Sequence, residues 1–330
     1  MEYDHHKDVV YGYKDGMGLV MDVLTPSTKR NGAAVLSLVS GGYRSSPSWL
    51  MVDGISPSVK QETEEVMSVV RSGARPSLGF GKFPQEAFLR GRTRFFQAHH
   101  SLLEAGYAVF VVAHSSSPKY RLDEIIPDIS RAVRFIRHNA EGFGFDPDRI
   151  GIRGGSSGGG LSLMAAMAPP PPDPEHEDPV ERVSSRIQAA VAYFSPTDLL
   201  NFGEPDRNAI ECFYDRLGHK RPHHDFHAWR EETQSYERVD DAEEGKAILC
   251  RCSAITHVSA DSPPTLLLHG DEDELVPLQQ SESLAARLRE AGVAHKLIVA
   301  KGQGHGWDTS DDELAAIRGW FDRYLLEGGD

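Results

Sequence analysis

The chain has 330 residues and a formal net charge of −14, with 39% hydrophobic and 25% charged residues. This composition is typical of a globular protein, and the acidic balance excludes a nucleic-acid partner, because such a partner requires a basic patch. No segment approaches the roughly 18 uninterrupted apolar residues of a membrane-spanning helix, so we expect no membrane span.

The N-terminal segment MEYDHHKDVV lacks the basic and apolar regions of a signal peptide. Three cysteines are too few for a disulfide framework, and Cys250 and Cys252 are too close in the chain for an ordinary bridge. Both observations favour a reducing compartment. We therefore expect a cytoplasmic protein.

Short apolar runs alternate with amphipathic helical patterns along the chain, which predicts βαβ units and a mostly parallel sheet. The turn at Asp15-Gly16 separates two strand-like segments and predicts an antiparallel hairpin at the sheet edge. Further apolar runs bring the total to roughly eight strands. These runs occupy residues 33–39, 107–113, 149–154, 189–195, 264–270 and 295–300. Helical spacing of apolar residues predicts helices near residues 122–136, 284–291 and 314–325.

Long segments interrupt this alternation, and loops of such length inside a compact domain are usually functional. Residues 168–179 are acidic and proline-rich, whereas residues 201–258 are charged, rich in histidine and poorly periodic. We predict one α/β domain over residues 1–330. In it, residues 201–258 form a cap or lid, and residues 44–90 form an additional insertion near the active site.

The segment RIGIRGGSSGGGLSLMAA reads as a strand, a glycine-dense turn and a helix, which is the context of a nucleophile elbow. Both Ser156 and Ser157 satisfy the pattern G-x-S-x-G. Helix geometry favours Ser156 as the nucleophile at the helix N-terminus. The backbone N–H of Ser157 then becomes a donor to the oxyanion.

A serine nucleophile needs a base, and His305 lies in the glycine-flanked loop GQGHGWD after the last predicted strand. The imidazole in turn needs a carboxylate partner. Four consecutive acids at residues 271–274 follow another predicted strand, and Asp198 in SPTDLL is an alternative. The order serine, acid, histidine is that of the α/β-hydrolases.

With these motifs, the chain resembles the α/β-hydrolase superfamily from about residue 33 to residue 326. More narrowly, it resembles the esterase/lipase branch, near carbohydrate esterases and hormone-sensitive-lipase-like carboxylesterases. The motif HGDxDxxVP of that family carries its acid at the second aspartate, which is Asp273 here. The resemblance therefore implies a catalytic triad of Ser156, Asp273 and His305, with no metal and no organic cofactor.

One segment departs from the family pattern. Such esterases often carry HGGG after the third strand, whereas this chain reads LVSGGYRSS, with Ser40 at the histidine position. By position, the resemblance implies an oxyanion hole formed by the amides of Gly42, Tyr43 and Ser157. Which of Gly41, Gly42 and Tyr43 donates stays open.

Aromatic residues in or beside loops are candidates for the substrate pocket: Trp49, Phe202 and Trp307. A histidine-rich group in the predicted cap lacks recognised metal-ligand spacing, so we interpret it as a solvent-exposed lid face. Its members are His219, His223, His224 and His227.

These features predict hydrolysis of a carboxylic ester of short-chain acyl, acetyl or feruloyl type, on a small molecule or linked to a carbohydrate. A serine peptidase of the prolyl-oligopeptidase type is one alternative, because its catalytic domain shares these motifs. A hydrolase-fold protein that only binds a ligand or partner is another. A homo-oligomer stays open.

Overall fold

The computed structural model describes residues 2–46, 98–217 and 221–328. Eight of its strands form one sheet in the order β1-β2-β4-β3-β5-β6-β9-β10. The strands of this sheet are β1 (Tyr3–Lys14), β2 (Met17–Pro26), β3 (Ala34–Leu38), β4 (Ala108–Val112), β5 (Ile150–Gly155), β6 (Ala189–Tyr193), β9 (Thr265–Gly270) and β10 (His295–Ala300). The predicted α/β architecture with eight strands is confirmed.

The first two strands form the predicted hairpin at one edge of the sheet. They pair antiparallel around Asp15 and Gly16, which both have positive φ, at 48° and 77°. This backbone matches the twist of the flanking strands, and glycine adopts it without steric cost. The next strand in the sheet, β4, also runs antiparallel to β2, and every other pairing is parallel.

Helices cover both faces of the sheet. The labelled helices are α1 (Leu122–His138), α2 (Ala140–Phe143), α3 (Ser157–Met167), α4 (Ala209–Leu217), α5 (Ala242–Arg251), α6 (Gln279–Glu290) and α7 (Asp311–Phe321). One buried cluster joins one sheet face to α1, α3 and α6, and a second joins the opposite face to helical residues 98–104 and α7. Side chains alternate between these clusters along β3, because successive residues of a strand point to opposite faces. None of the helices in the described ranges has the length and apolar character needed to cross a membrane.

The predicted cap, residues 201–258, contains α4, α5 and a separate two-stranded hairpin of β7 (His227–Arg230) and β8 (Ser235–Arg238). Its role as a lid stays a prediction. Of the second insertion, residues 44–90, only 44–46 belong to the described part of the chain.

Two residues of the histidine-rich group of the cap do not lie on a solvent-exposed face, contrary to the prediction from the polar sequence. His223 and His224 are 4% and 2% exposed. They contact the aromatic ring of Tyr43, at centroid distances of 4.5 Å and 6.5 Å. The interpretation was wrong for these two residues, because tertiary packing against Tyr43 removes them from water.

Candidate active site

The segment between β5 and α3 makes a sharp turn at Ser156. This residue has φ 53° and ψ −127°, a backbone conformation that residues other than glycine rarely adopt. Two hydrogen bonds hold the turn: the Ser156 amide donates to Tyr193 O at 2.9 Å, and the Gly160 amide donates to Ser156 O at 3.0 Å. The strained backbone presents the Ser156 side chain at the N-terminus of α3.

The glycines around the turn are required by close contacts. A Cβ atom on Gly154 would lie 2.4 Å from the carbonyl oxygen of Gly158, and a Cβ on Gly159 would lie 1.9 Å from Ser195 Oγ. Neither distance is compatible with a side chain. The glycine-rich composition therefore permits close packing between α3, β5 and the segment after β6.

The structure brings Ser156, His305 and Asp273 into one chain of hydrogen bonds. The Ser156 Oγ atom lies 2.9 Å from His305 Nε2, and His305 Nδ1 lies 2.8 Å from Asp273 Oδ2. In the neutral imidazole, Nδ1–H donates to the carboxylate, so Nε2 is left to accept the serine proton. The side chain of His305 is 16% exposed and that of Asp273 is fully buried.

The Asp273 carboxylate is held by several donors. Its Oδ1 atom accepts hydrogen bonds from the amides of Leu275 and Val276, each at 2.9 Å. Burial raises the pKa of Asp273, but hydrogen bonds from His269 and His305 outweigh burial and hold this pKa well below its usual range. Asp273 is therefore ionised beside His305.

The sequence interpretation missed the contact between His269 and Asp273. His269 is fully buried, its Nε2 donates to Val276 O at 2.8 Å, and this Nε2 lies 3.4 Å from Asp273 Oδ2. The Ser281 hydroxyl lies 2.7 Å from the other ring nitrogen. The only available signal was its position in LLLHGDED, at the end of a strand just before the acids.

Other acids considered from sequence have different partners. Asp271 accepts from the Gly302 amide and forms an ion pair with Lys301 at 3.1 Å. Asp198 accepts hydrogen bonds from the amides of Leu200 and Asn201, each at 3.0 Å, and so closes its own turn. In the described ranges, the carboxylate that contacts His305 is that of Asp273.

The segment after β3 forms a tight turn from Gly41 to Arg44. Gly41 and Arg44 exchange both backbone hydrogen bonds, at 2.9 Å and 3.2 Å, and Gly42 and Tyr43 have φ of 58° and 60°. The Gly41 amide is therefore used within the turn. The amides of Gly42 and Tyr43 donate to no backbone carbonyl of residues 2–46, 98–217 or 221–328. Of the three candidate donors in this turn, only the Gly41 amide therefore has a backbone acceptor among the described residues.

The start of this turn contacts the elbow directly. The hydroxyl of Ser40 lies 2.9 Å from that of Ser157, and Ser157 is 3% exposed. Ser40 stands at the position of the histidine in the HGGG pattern. A hydroxyl pair thus connects the turn after β3 to the first residue of α3.

Phe194 was also missed from sequence. Its ring packs edge-on against His305 with centroids 4.7 Å apart, and against Trp307 at 5.5 Å. It also lies close to Gly155, where a Cβ would be 3.2 Å from the phenyl ring. Phe194 therefore supports the imidazole on the side of β6. Its position in YFSPTDL, directly after a buried strand, was the only signal.

The candidate pocket aromatics have different surroundings. Trp307 is 7% exposed, and its Nε1 donates to Glu313 at 2.9 Å. Phe202 is 1% exposed and packs on Phe213 with centroids 5.3 Å apart, so it belongs to the core in this structure. Trp49 lies outside the described residues. A role of these three residues in binding substrate stays a prediction.

Neutral imidazoles border the turn after β3. Burial lowers the pKa of His223, and the neighbouring His224 and Arg221 lower this pKa further. For His224, burial and Arg221 lower the pKa to about 3. In the part of the chain that the structure covers, no cluster of three or more histidine, cysteine or acidic side chains is arranged for a metal ion.

Comparisons with known proteins agree with this architecture. The model of the BD-FAE family matches residues 89–288, and that of the family described as TAP-like protein matches residues 252–329. Two proteins of Mycobacterium tuberculosis, a probable carboxylic ester hydrolase LipM and the esterase LipQ, are each 31% identical. The matches cover 61% and 65% of this chain, but only 41% and 44% of the relatives, so the chain spans less than half of their length.

The fold is also shared with a solved structure of a truncated carbohydrate esterase from gut microbiota. The TM-score is 0.67 at 21% identity, over 98% of this chain and 96% of the other. This likeness extends over nearly the whole of both chains. It shows that the two chains share one fold.

Proposed function

Since this chain belongs to the BD-FAE family of α/β-hydrolase esterases, we propose that it hydrolyses carboxylic esters with Ser156 as the nucleophile. The observation that carries the proposal is the hydrogen-bonded chain from Ser156 through His305 to Asp273, with distances of 2.9 Å and 2.8 Å. The strained φ of 53° at Ser156 supports it, because strained backbone conformations cluster at functional sites.

Acylation begins when Ser156 Oγ attacks the ester carbonyl carbon. The serine proton moves to His305 Nε2, and the π electrons of the carbonyl move to its oxygen. Asp273 stabilises the imidazolium and keeps Nδ1 protonated. Collapse of the tetrahedral intermediate breaks the bond to the alcohol oxygen, which takes the proton from His305. The products are the free alcohol and an acyl-enzyme on Ser156.

The tetrahedral oxyanion is stabilised by backbone amides. We assign this role to Gly42, Tyr43 and Ser157, with the N-terminus of α3 contributing its partial positive charge. Support comes from the turn geometry, since the Gly41 amide is bonded to Arg44 while those of Gly42 and Tyr43 have no backbone acceptor in the described ranges. Losing one such donor costs about 3 kcal/mol of barrier.

Deacylation repeats these steps with water. His305 removes a proton from the water molecule as the water oxygen attacks the acyl carbon. The second tetrahedral intermediate then releases the carboxylic acid, and the proton returns from His305 to Ser156 Oγ. The cycle uses only groups of this chain and water.

We propose that the substrates are esters of short-chain acyl, acetyl or feruloyl type, either small molecules or linked to a carbohydrate. Similarity to a protein described as a carbohydrate esterase supports this class. The mycobacterial relatives, described as an esterase and a probable carboxylic ester hydrolase, support ester hydrolysis in general.

The test is a panel of substrates with wild type and Ser156→Ala. It contains p-nitrophenyl acetate, butyrate and octanoate, acetylated xylan, methyl ferulate and aminoacyl p-nitroanilides. We expect turnover of short p-nitrophenyl esters that disappears in Ser156→Ala. Turnover of the anilides alone would show that the protein is a peptidase and not an esterase. No turnover, together with no reaction with a fluorophosphonate, would favour a protein that only binds ligands.

A further inference from the structure

Arg221 lies against the turn after β3. A Cβ atom on Gly42 would lie 3.3 Å from Arg221 Nη2, so the guanidinium occupies the space beside this glycine. Gly42 is one of the two proposed amide donors from that turn. The chain therefore places a cation within a few ångströms of the region where a substrate carbonyl would be polarised.

Arg221 differs from Arg230 and Arg238 of the predicted cap, which both have carboxylate partners. Arg230 pairs with Glu244 at 2.6 Å, and Arg238 pairs with Asp225 at 2.8 Å. Among the carboxylates of residues 2–46, 98–217 and 221–328, none forms an ion pair with Arg221. Its Nε atom is buried without a hydrogen-bond partner in these ranges.

The described residues around Arg221 do not compensate its charge. Burial lowers the pKa of Arg221, and the like charge of Arg44 lowers it further. The ring of Phe213 lies 6.0 Å from the guanidinium carbon, and His223 and His224 are neutral because burial and the arginine lower their pKa. A half-buried cation is costly unless an anion pairs with it. Among residues 2–46, 98–217 and 221–328, no anion thus matches the positive charge of Arg221.

A guanidinium binds a carboxylate through two parallel N–H···O bonds, which gives both affinity and orientation. We propose that Arg221 binds a carboxylate of the substrate, so that the protein prefers esters bearing a carboxylate near the scissile ester over neutral esters. This inference rests on the proposed esterase function. Arg221 is then a specificity residue that contacts the substrate away from the reacting carbonyl.

The test compares matched ester pairs. For a carboxylate on the acyl side, the pair is mono-p-nitrophenyl adipate and p-nitrophenyl hexanoate. For a carboxylate on the alcohol side, the pair is 4-acetoxybenzoate and methyl 4-acetoxybenzoate. The readout is the ratio of kcat/KM for the charged ester to that for the neutral ester, measured for wild type, Arg221→Gln, Arg221→Lys and the control Arg230→Gln.

In at least one pair, Arg221→Gln should lower the ratio by about 10- to 100-fold, the effect expected when a hydrogen-bonded contact between charged groups is lost. Arg221→Lys should give an intermediate ratio, and Arg230→Gln should retain the wild-type ratio. Adipate itself should inhibit wild type more strongly than Arg221→Gln, and thermal unfolding checks that each variant is folded.

Equal loss on charged and neutral esters, or an unchanged ratio in both pairs, would overturn the inference. These outcomes are distinct from failure of the proposed function. If the esterase assignment is wrong, wild type does not hydrolyse the neutral esters. If only the role of Arg221 is wrong, the neutral esters are hydrolysed and the ratio does not depend on residue 221.

Discussion

The hydroxyl of Ser157 lies 2.9 Å from that of Ser40, whereas the hydroxyl of the preceding Ser156 lies 2.9 Å from His305 Nε2. The two adjacent serines thus face different partners. Ser156 contacts the proposed base, and Ser157 joins α3 to the turn after β3. Only the backbone amide of Ser157 is needed in the proposed chemistry.

The serine pair gives the first prediction. Ser156→Ala should lower kcat by about 10⁶-fold, the size of effect seen when a triad serine is removed. Ser157→Ala keeps the backbone amide and loses one neutral hydrogen bond, so its kcat should fall by about tenfold or less. Both rates are measured with p-nitrophenyl butyrate. If Ser157→Ala were the inactive variant, the nucleophile would be Ser157 and not Ser156.

Neighbouring acids give the second prediction. Asp273→Asn should lower kcat by about 10⁴-fold, because the amide no longer holds the imidazole in the tautomer that accepts the serine proton. Asp271→Asn is the matched control, since Asp271 bonds Gly302 and Lys301 instead of His305. Its kcat for p-nitrophenyl butyrate should stay within a factor of about two of wild type, as for surface substitutions away from the site. A larger loss in Asp271→Asn than in Asp273→Asn would contradict the assignment.

Two helical glycines give the third prediction. Gly159→Ala should destabilise the protein by more than about 2 kcal/mol, because its Cβ would overlap Ser195 Oγ in a packed region. Gly245→Ala, in α5, has no heavy atom within 4 Å of the new Cβ and should stabilise by about 0.5–1 kcal/mol. Urea unfolding measures both. Similar effects at the two positions would show that α3 is not packed as described.

The buried His224 gives the fourth prediction, on pH dependence. Burial and Arg221 lower its pKa to about 3, so the unfolded chain takes up a proton below about pH 6.5 while the folded chain does not. Folding stability should therefore fall as the pH is lowered from about 6.5 toward 3. In His224→Phe the loss of folding stability at low pH should be smaller, because a phenyl ring cannot bind a proton.

Thermal unfolding between pH 7.5 and 4.5 tests this prediction. His6→Phe is the control, because it makes the same substitution at a histidine that is exposed in the folded chain. We expect a shallower pH dependence for His224→Phe and an unchanged one for His6→Phe. Identical curves for His224→Phe and wild type would mean that His224 is not buried in the neutral form.

Most of the sheet could be predicted because its strands carry strong local signals. Continuous apolar runs mark β3, β4 and β9, whose residues are buried on both faces. The elbow was visible for a similar reason, since the glycines that a strand-to-helix turn requires are local in sequence. The position of His305 in a loop after the last strand could also be predicted, because the glycines that flank it are local in sequence.

The supporting contacts could not be predicted, because they depend on tertiary packing. His269 and Phe194 are ordinary residues at strand ends, and nothing local indicates that one reaches Asp273 and the other His305. The position of Arg221 beside Gly42 joins segments about 180 residues apart in the chain. Polar sequence around His223 and His224 suggested exposure, but packing against Tyr43 buries both.

The most direct test of the central claim is site-resolved labelling with a fluorophosphonate. Intact mass and peptide mapping measure which residue of wild type reacts, in parallel with Ser156→Ala and Ser157→Ala. We predict one adduct per chain on Ser156, retained in Ser157→Ala and absent in Ser156→Ala. An unlabelled wild type, or an adduct that persists in Ser156→Ala, would contradict the assignment of Ser156 as the nucleophile.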